Sequence, residues 1–199
     1  AVFYGRVGGL PDDAFVHDGQ MTKRIVRAAS ISSLRPFQNA LLWDIGAGCG
    51  SVAIEWMRVS QGAKAVCVEP NDARLKMMSE NALALGVPKL VAVKGTAPDA
   101  ISEMQNDEMP DAIFIGGGIT SKDVFETCWA SLKAGGRLVA NAVTLESEAR
   151  LLELHQSHGG TLDRITTSSA IRVGKYNAMK PSMSVMQLVL TKPFGAAHE

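Results

Sequence analysis

The chain has little that would mark a secreted, metal-bound or membrane-spanning protein. Its three cysteines, Cys49, Cys67 and Cys128, are far apart and form no CxxC pair. That pattern argues against a disulfide framework and a zinc site, and reads as free thiols in a reducing, cytoplasmic setting. No apolar run approaches the roughly 18 residues that a membrane span needs, and residues 1–10 lack the layout of a signal peptide. They also lack an initiator Met, which predicts a processed end or a domain cut from a longer polypeptide. An excess of one charge is missing too. Twenty acidic and twenty basic residues cancel over 199 positions, so no global positive field draws in nucleic acid. Locally the balance fails. From Arg164 to Ala197 the ionisable side chains other than Tyr176 are all basic: Arg164, Arg172, Lys175, Lys180 and Lys192. That run is either a solvated face or a docking rim for an anionic small molecule.

What the chain does contain suits one domain over 1–199, with 1–20 as a leader and loop: 46% of its residues are hydrophobic and 20% charged. Short, β-branched apolar runs predict strands at Ala40–Ile45, Lys64–Glu69, Leu90–Lys94, Ala112–Gly116, Arg137–Ala142, Leu162–Arg172 and Val185–Thr191. Helical patterns fall between them at Gln20–Ser33, Ser51–Ser60, Asn71–Leu85, Ser121–Ala134 and Leu145–Ser157. Alternation of this kind implies right-handed βαβ units. The connection Gly174–Ser184 is too short for a helix, so the last two strands should form an antiparallel hairpin at one edge.

The strongest local signal is Trp43-Asp44-Ile45-Gly46-Ala47-Gly48-Cys49-Gly50-Ser51, which closes the first strand and opens a helix. Glycines there let the chain turn sharply and bring a ligand against bare backbone, with helix amides pointing into the same crevice. The spacing is GxGxG, with Ser51 where a dinucleotide fingerprint has its third glycine. Glu69 ends the second strand, 23 residues after Gly46, where a carboxylate can accept hydrogen bonds from both hydroxyls of a ribose. A doubly wound α/β sheet of seven strands, mostly parallel, with an antiparallel C-terminal hairpin resembles the Rossmann-like class I S-adenosylmethionine-dependent methyltransferases. That class carries an acidic residue at Asp44, near the methionine moiety. It lays the adenine over the end of the third strand, here Lys94-Gly95-Thr96-Ala97. Thr96 stands where Asp is common, so the Thr96 hydroxyl and the Ala97 backbone are the expected adenine contacts. The fourth strand ends in Gly116-Gly117-Gly118 rather than the Asn/Asp-Pro-Pro-aromatic segment of amino-group methyltransferases, which leaves room for something bulky.

Two stretches narrow the resemblance. Leu10-Pro11-Asp12-Asp13-Ala14-Phe15-Val16-His17-Asp18-Gly19-Gln20-Met21-Thr22-Lys23-Arg24 and the strand Ile113-Phe114-Ile115 with its triple glycine, together with the glycine loop and Leu132-Lys133-Ala134-Gly135-Gly136-Arg137-Leu138-Val139, which are generic to the class, resemble the decarboxylating precorrin-6Y carbon-15 methyltransferases of cobalamin biosynthesis. The likeness runs from about Leu10 to Leu190. It implies S-adenosyl-L-methionine as cofactor, touched by Thr22, the Gly46–Gly50 loop with Ala47 and Cys49, Glu69 and Ala97. The implied substrate is a tetrapyrrole rimmed with carboxylates, methylated at carbon 15 and decarboxylated at the carbon-12 acetate. Gly116, Gly117 and Gly118 would make room for it, and Arg172, Lys175 and Lys180 would grip its rim. The family occurs alone or fused behind a carbon-5 methyltransferase, which the leader Ala1–Gly9 would fit, and the resemblance implies a homotetramer.

Methyl transfer to an electron-rich carbon needs alignment and dryness more than side-chain chemistry, and no nucleophile–base triad is evident. Decarboxylation needs an electron sink, which the macrocycle supplies, and a dry pocket. His17 and Asp18, beside Thr22, are the ionisable pair to watch if a proton is handled; a hydrogen-bonded loop histidine is the plainer reading. His155, His158 and His198 read as surface residues and Trp56 as core. Two alternatives stay open: a tRNA or other small-molecule methyltransferase on the same fold, and a non-catalytic S-adenosylmethionine-binding subunit.

Overall fold

A computed structural model describes residues 4–104 and 108–194; the first residues of the leader, Ala197 and His198 lie outside that range. Within it strands and helices alternate: α1 (Arg24–Leu34), β1 (Leu41–Ile45), α2 (Ser51–Val59), β2 (Lys64–Glu69), α3 (Asp72–Ala84), β3 (Val91–Lys94), α4 (Asp99–Met104), β4 (Ala112–Ile115), α5 (Val124–Ser131), β5 (Arg137–Ala142), α6 (Leu145–His158), β6 (Thr161–Ile165), β7 (Ser168–Val173), β8 (Tyr176–Pro181) and β9 (Val185–Thr191). Seven strands form one sheet in the order β3-β2-β1-β4-β5-β9-β6. β1 to β5 pair in parallel, and β9 lies antiparallel between β5 and β6. The order reverses between β1 and β4, which opens a crevice at their carboxyl ends.

Alternation along the buried strands feeds two cores. Leu41, Trp43 and Ile45 of β1 join Ile113, Ile115, Leu138 and Leu188 on one face. Leu42 joins Val52, Trp56, Cys67, Phe114 and Val139 on the other. Asp44 therefore shares the face of Leu42 and meets α2, where its Oδ2 accepts from the Ala53 amide at 3.2 Å. Trp56 is fully buried, as its helical position predicts.

The expected antiparallel pair at one edge of the sheet is present as β6 and β9, but its first strand and its connection differ from the expectation. The run Leu162–Arg172 is two strands, not one. β6 stops at Ile165, where its pairing with β9 ends opposite Val185. The chain then leaves the sheet, and Ser168–Val173 pairs with Tyr176–Pro181 as a separate two-stranded ribbon. The stretch Gly174–Ser184 is thus no bare connection. Gly174, with φ +59°, and Lys175 make its two-residue turn, the geometry that strand twist favours and glycine permits. Every residue of β7 and β8 is exposed. Two helix boundaries also move. α1 begins at Arg24 rather than Gln20, because Gln20–Lys23 form a non-helical stretch lining the crevice, bent at Met21 and extended at Lys23, and α5 spans only Val124–Ser131. α4 was not expected.

A buried ion pair pins the leader. Arg27 is fully buried, and its Nε lies 2.6 Å from Glu55 Oε1. Its guanidinium also reaches Asp12, the Thr22 carbonyl and the Leu10 carbonyl. Glu55 in turn accepts from the Gly9 and Leu10 amides at 2.6 and 2.8 Å.

Candidate active site

A cavity of about 800 Å³ lies over the carboxyl ends of the parallel strands. Because the strands stand in the order β3-β2-β1-β4-β5, its wall runs in space from Thr96 past Glu69, Asp44 and Gly116 to Asn141. At about 4.8 Å per strand, that wall is roughly 19 Å wide. Such a span suits two molecules side by side.

On the β1–β3 side the residues fit a nucleoside. Glu69 is 3% exposed. Its Oε2 accepts from the Gly48 amide at 2.9 Å and its Oε1 from the Asn71 amide at 3.0 Å. The carboxylate is thereby fixed, and each oxygen keeps a lone pair for one hydroxyl of a diol. Gly46 holds φ +70°, and a Cβ there would stand 3.0–3.2 Å from the Gly117 backbone. Only glycine permits that close approach between the β1 and β4 turns. Asp44 is buried, and its Oδ1 has no hydrogen-bond partner among the described residues. Burial pushes its carboxyl up to about 7; the Ala53 amide opposes this and the nearby Glu69 charge adds to it. A buried acceptor without a partner, in a group lining the cavity, fits a cationic ligand group such as an α-ammonium.

Of the sequence-predicted cofactor residues, Thr22, Asp44, Gly46, Ala47, Gly48, Glu69, Thr96 and Ala97 line this cavity, while Cys49 and Gly50 do not. Cys49 is buried beneath the loop and burial raises its thiol pKa, which suits packing rather than reactivity. Gly116, Gly117 and Gly118 line the other half. A Cβ at Gly117 or Gly118 would meet nothing within 4 Å, so these glycines leave open space.

The remaining predicted residues stand outside the lining. His17 accepts the Gly19 amide on Nδ1 at 2.9 Å. Asp18 accepts from Arg74 Nε at 2.8 Å and from the Gln20 amide, and the hydrogen bond from Arg74 holds its carboxyl below the usual range. Both therefore shape the loop that leads to Thr22. Arg172 and Lys180 lie on the ribbon strands and Lys175 at its tip, where its Nζ sits 5.3 Å from the Tyr176 ring centroid. The base of the ribbon reaches the site, since Thr167, Ser182 and Met183 line the cavity. Lys180, two residues from Ser182, is about 7 Å away along the strand; Arg172 and Lys175 are farther. His155 is half-buried and His158 exposed, its ring edge-on to Phe125 and Trp129.

Sequence reasoning missed Gln20, Met21, Lys23, Arg74 and Asn141 as lining residues. Asn141 carried a usable signal: a lone amide near the end of an apolar strand whose carboxyl end faces the crevice. Among the described residues no cluster of His, Cys, Asp or Glu could hold a metal ion, and no helix is long and apolar enough to cross a membrane.

Comparison with known proteins agrees with this geometry. The family model for a precorrin methyltransferase domain matches residues 13–192. A decarboxylating precorrin-6Y C(5,15)-methyltransferase of a Sinorhizobium species is 46% identical over 184 residues, which is 92% of this chain and 44% of that protein. The chain thus spans about half the length of that relative. A probable decarboxylating cobalt-precorrin-6B C(15)-methyltransferase of Sulfurisphaera tokodaii is 31% identical over 163 residues, 80% of this chain and 84% of that protein. The crystal structure of the C-terminal domain of precorrin-6Y C5,15-methyltransferase from Rhodobacter capsulatus matches with a TM-score of 0.87 at 40% identity, covering 95% of this chain and 100% of that one. With residues 13–192 matched as a unit, over a crevice that joins a glycine turn, a fixed carboxylate and a glycine-walled second half, the chain belongs to the precorrin methyltransferase domain family.

Proposed function

We propose that this domain transfers a methyl group from S-adenosylmethionine to carbon 15 of a precorrin macrocycle in cobalamin biosynthesis, and removes carbon dioxide from the carbon-12 acetate. The observation that carries this reading is the shape of the cavity: one half fits a nucleoside, and the adjoining half is walled by Gly116–Gly118 with room for a large ring. The carbon-15 half of the chemistry is favoured by two comparisons. The name C(15)-methyltransferase belongs to a relative of similar length, and the double name C5,15 belongs to proteins of which this chain matches one part.

Glu69 would hold the ribose diol, Thr96 and Ala97 the adenine edge, and Asp44 the α-ammonium. Thr22, in the loop that Arg27 anchors, would close over the cofactor. When bound, S-adenosylmethionine supplies an electrophilic methyl group, so the protein's task is alignment and exclusion of water. The basic side chains of the ribbon, Lys180 nearest the mouth, would meet peripheral carboxylates. His17 and Asp18 act by holding the loop rather than by moving a proton.

The reading also places the domain in the cytoplasm, joined to or working with a carbon-5 methylating domain, in a homotetramer. The ribbon supports that assembly. Ile171, Val173, Tyr176 and Met179 are exposed on it, and an isolated two-stranded ribbon is marginally stable in water.

Incubation with S-adenosylmethionine and a precorrin pool, followed by mass spectrometry, tests the reading. The expected product has gained one methyl and lost one carbon dioxide. No change in the pool would leave a binding protein without this activity. A second test addresses Asp44. Near pH 7 its carboxyl is partly protonated when free, and an ammonium beside it favours the charged form. Binding of S-adenosylhomocysteine should therefore release a proton, and affinity should fall as pH drops from 8 to 6. Calorimetry in buffers of different ionisation enthalpy reads the release directly; its absence would detach Asp44 from the ammonium.

A further inference from the structure

Behind the β5 wall of the cavity lies a buried network of neutral polar groups that the reaction scheme has not used. The Ser30 hydroxyl donates its one hydrogen to the Val26 carbonyl at 2.9 Å. Its oxygen can then only accept, and it does so from Asn141 Nδ2 and from Gln187 Nε2, both at 3.0 Å. The second hydrogen of Gln187 Nε2 goes to Asn141 Oδ1 at 2.9 Å, and Gln187 Oε1 accepts the Ser33 hydroxyl at 3.1 Å. This chain of donors fixes which way the Asn141 amide points. Turned over, its NH2 would face the Gln187 NH2, and its oxygen would face the lone pairs of Ser30. One N–H of Asn141 remains without a partner among the described residues, and Asn141 lines the cavity.

The network is an expensive way to build a wall. Gln187 is 2% exposed in a strand otherwise made of Val, Met, Leu and Thr, where an apolar residue would need no hydrogen bonds. What the Gln187 amide and the Ser30 hydroxyl achieve together is a rigid Asn141. Its surroundings are uncharged as well. The lining residues from Gly116 to Val185 include no Asp, Glu, Lys or Arg. A carboxylate bound there meets neutral donors from these residues, and Lys23, which also lines the cavity, gives its ammonium to the Gly19 carbonyl at 3.2 Å.

We propose that Asn141 is a catalytic residue that seats the carboxylate to be lost, its free amide hydrogen bonding a carboxylate oxygen, with Gln187 and Ser30 as positioning residues. The inference rests on the decarboxylating methyltransferase reading above. In the step, the bond between the acetate methylene and its carboxylate breaks and carbon dioxide leaves. The electron pair passes into the conjugated macrocycle, and the methylene takes up a proton from solvent to become a methyl group. A cation in place of Asn141 would stabilise the carboxylate before reaction and oppose its departure, whereas a neutral donor orients it and releases it.

The test compares products. Asn141→Asp keeps the shape and the acceptor for Gln187 but removes the donor and adds a repelling charge. It should lower the ratio of decarboxylated to merely methylated product at least tenfold, with S-adenosylhomocysteine affinity within twofold of the parent. Gln187→Met keeps Asn141 but frees its amide to turn, and should shift the ratio the same way by less. A parent-like product ratio in Asn141→Asp, beside an active parent, overturns this proposal and leaves the methyltransferase reading intact. A parent that turns over no precorrin overturns both. A ratio unchanged while cofactor affinity and thermal stability both fall would mark the network as structural and overturn it too.

Discussion

Arg27→Ala is expected to destabilise the domain by about 3–5 kcal/mol, the range for removing one partner of a buried ion pair. The variant strands Glu55, which is 1% exposed, as a buried charge whose remaining partners are two backbone amides. It also leaves the Leu10 and Thr22 carbonyls without their guanidinium donors. Against a typical stability of about 5–15 kcal/mol, that is a large fraction. Chemical denaturation reads the loss. The double variant Arg27→Met with Glu55→Leu separates the burial of charge from the anchoring of the leader. Apolar side chains of similar size remove the stranded charge and should restore most of the global stability. They cannot hold Gly9, Leu10 or Thr22, so exchange protection of the Gly9 and Leu10 amides should disappear and cofactor affinity should fall. If the double variant binds cofactor as the parent does, the ion pair is a packing feature and Thr22 closes the site without it.

That clasp explains why the leader was legible only in part. PDDAFVHDGQMTKR stood out as a distinctive stretch, and Thr22 was expected at the cavity, where it lies. Nothing local in the sequence pairs Arg27 with Glu55, 28 residues away and on another helix; tertiary packing creates the pair. The strands were readable because residues buried on both faces leave continuous apolar runs, and β1 is buried at every position. The ribbon was misread because its strands lack that signature: β7 and β8 are exposed throughout and alternate weakly. The Gly174-Lys175 turn was the one available cue. The lining at the β1–β3 end of the cavity was legible because glycine turns and a carboxylate at a strand end are local chemistry. At the β4 and β5 end of the cavity the triple glycine was legible as a motif, whereas Asn141 and the base of the ribbon are brought there by the order of the sheet.

Gly48→Val should abolish cofactor binding and leave a folded protein. Gly48 has φ +58°, a left-handed conformation that costs an L residue about 1–2 kcal/mol, and a β-branched one more. That cost is well below the stability of an ordinary domain, so the fold survives. The site does not. Gly48 lines the cavity, and its amide donates to Glu69 Oε2 at 2.9 Å. The first added carbon has room, because its nearest neighbour is the Gln20 carbonyl at 3.6 Å. The two γ-methyls of Val must go further, into the space beside the carboxylate or against the Gln20 loop. Gly48→Ala is the control, since it carries the backbone strain without the γ-methyls. Calorimetry with S-adenosylhomocysteine should find binding weakened for Ala and lost for Val, while thermal melting places both variants slightly below the parent. Equal losses in the two would assign the effect to the backbone conformation and the hold on Glu69, and binding by the Val variant at parent strength would mean that the ligand lies away from this turn.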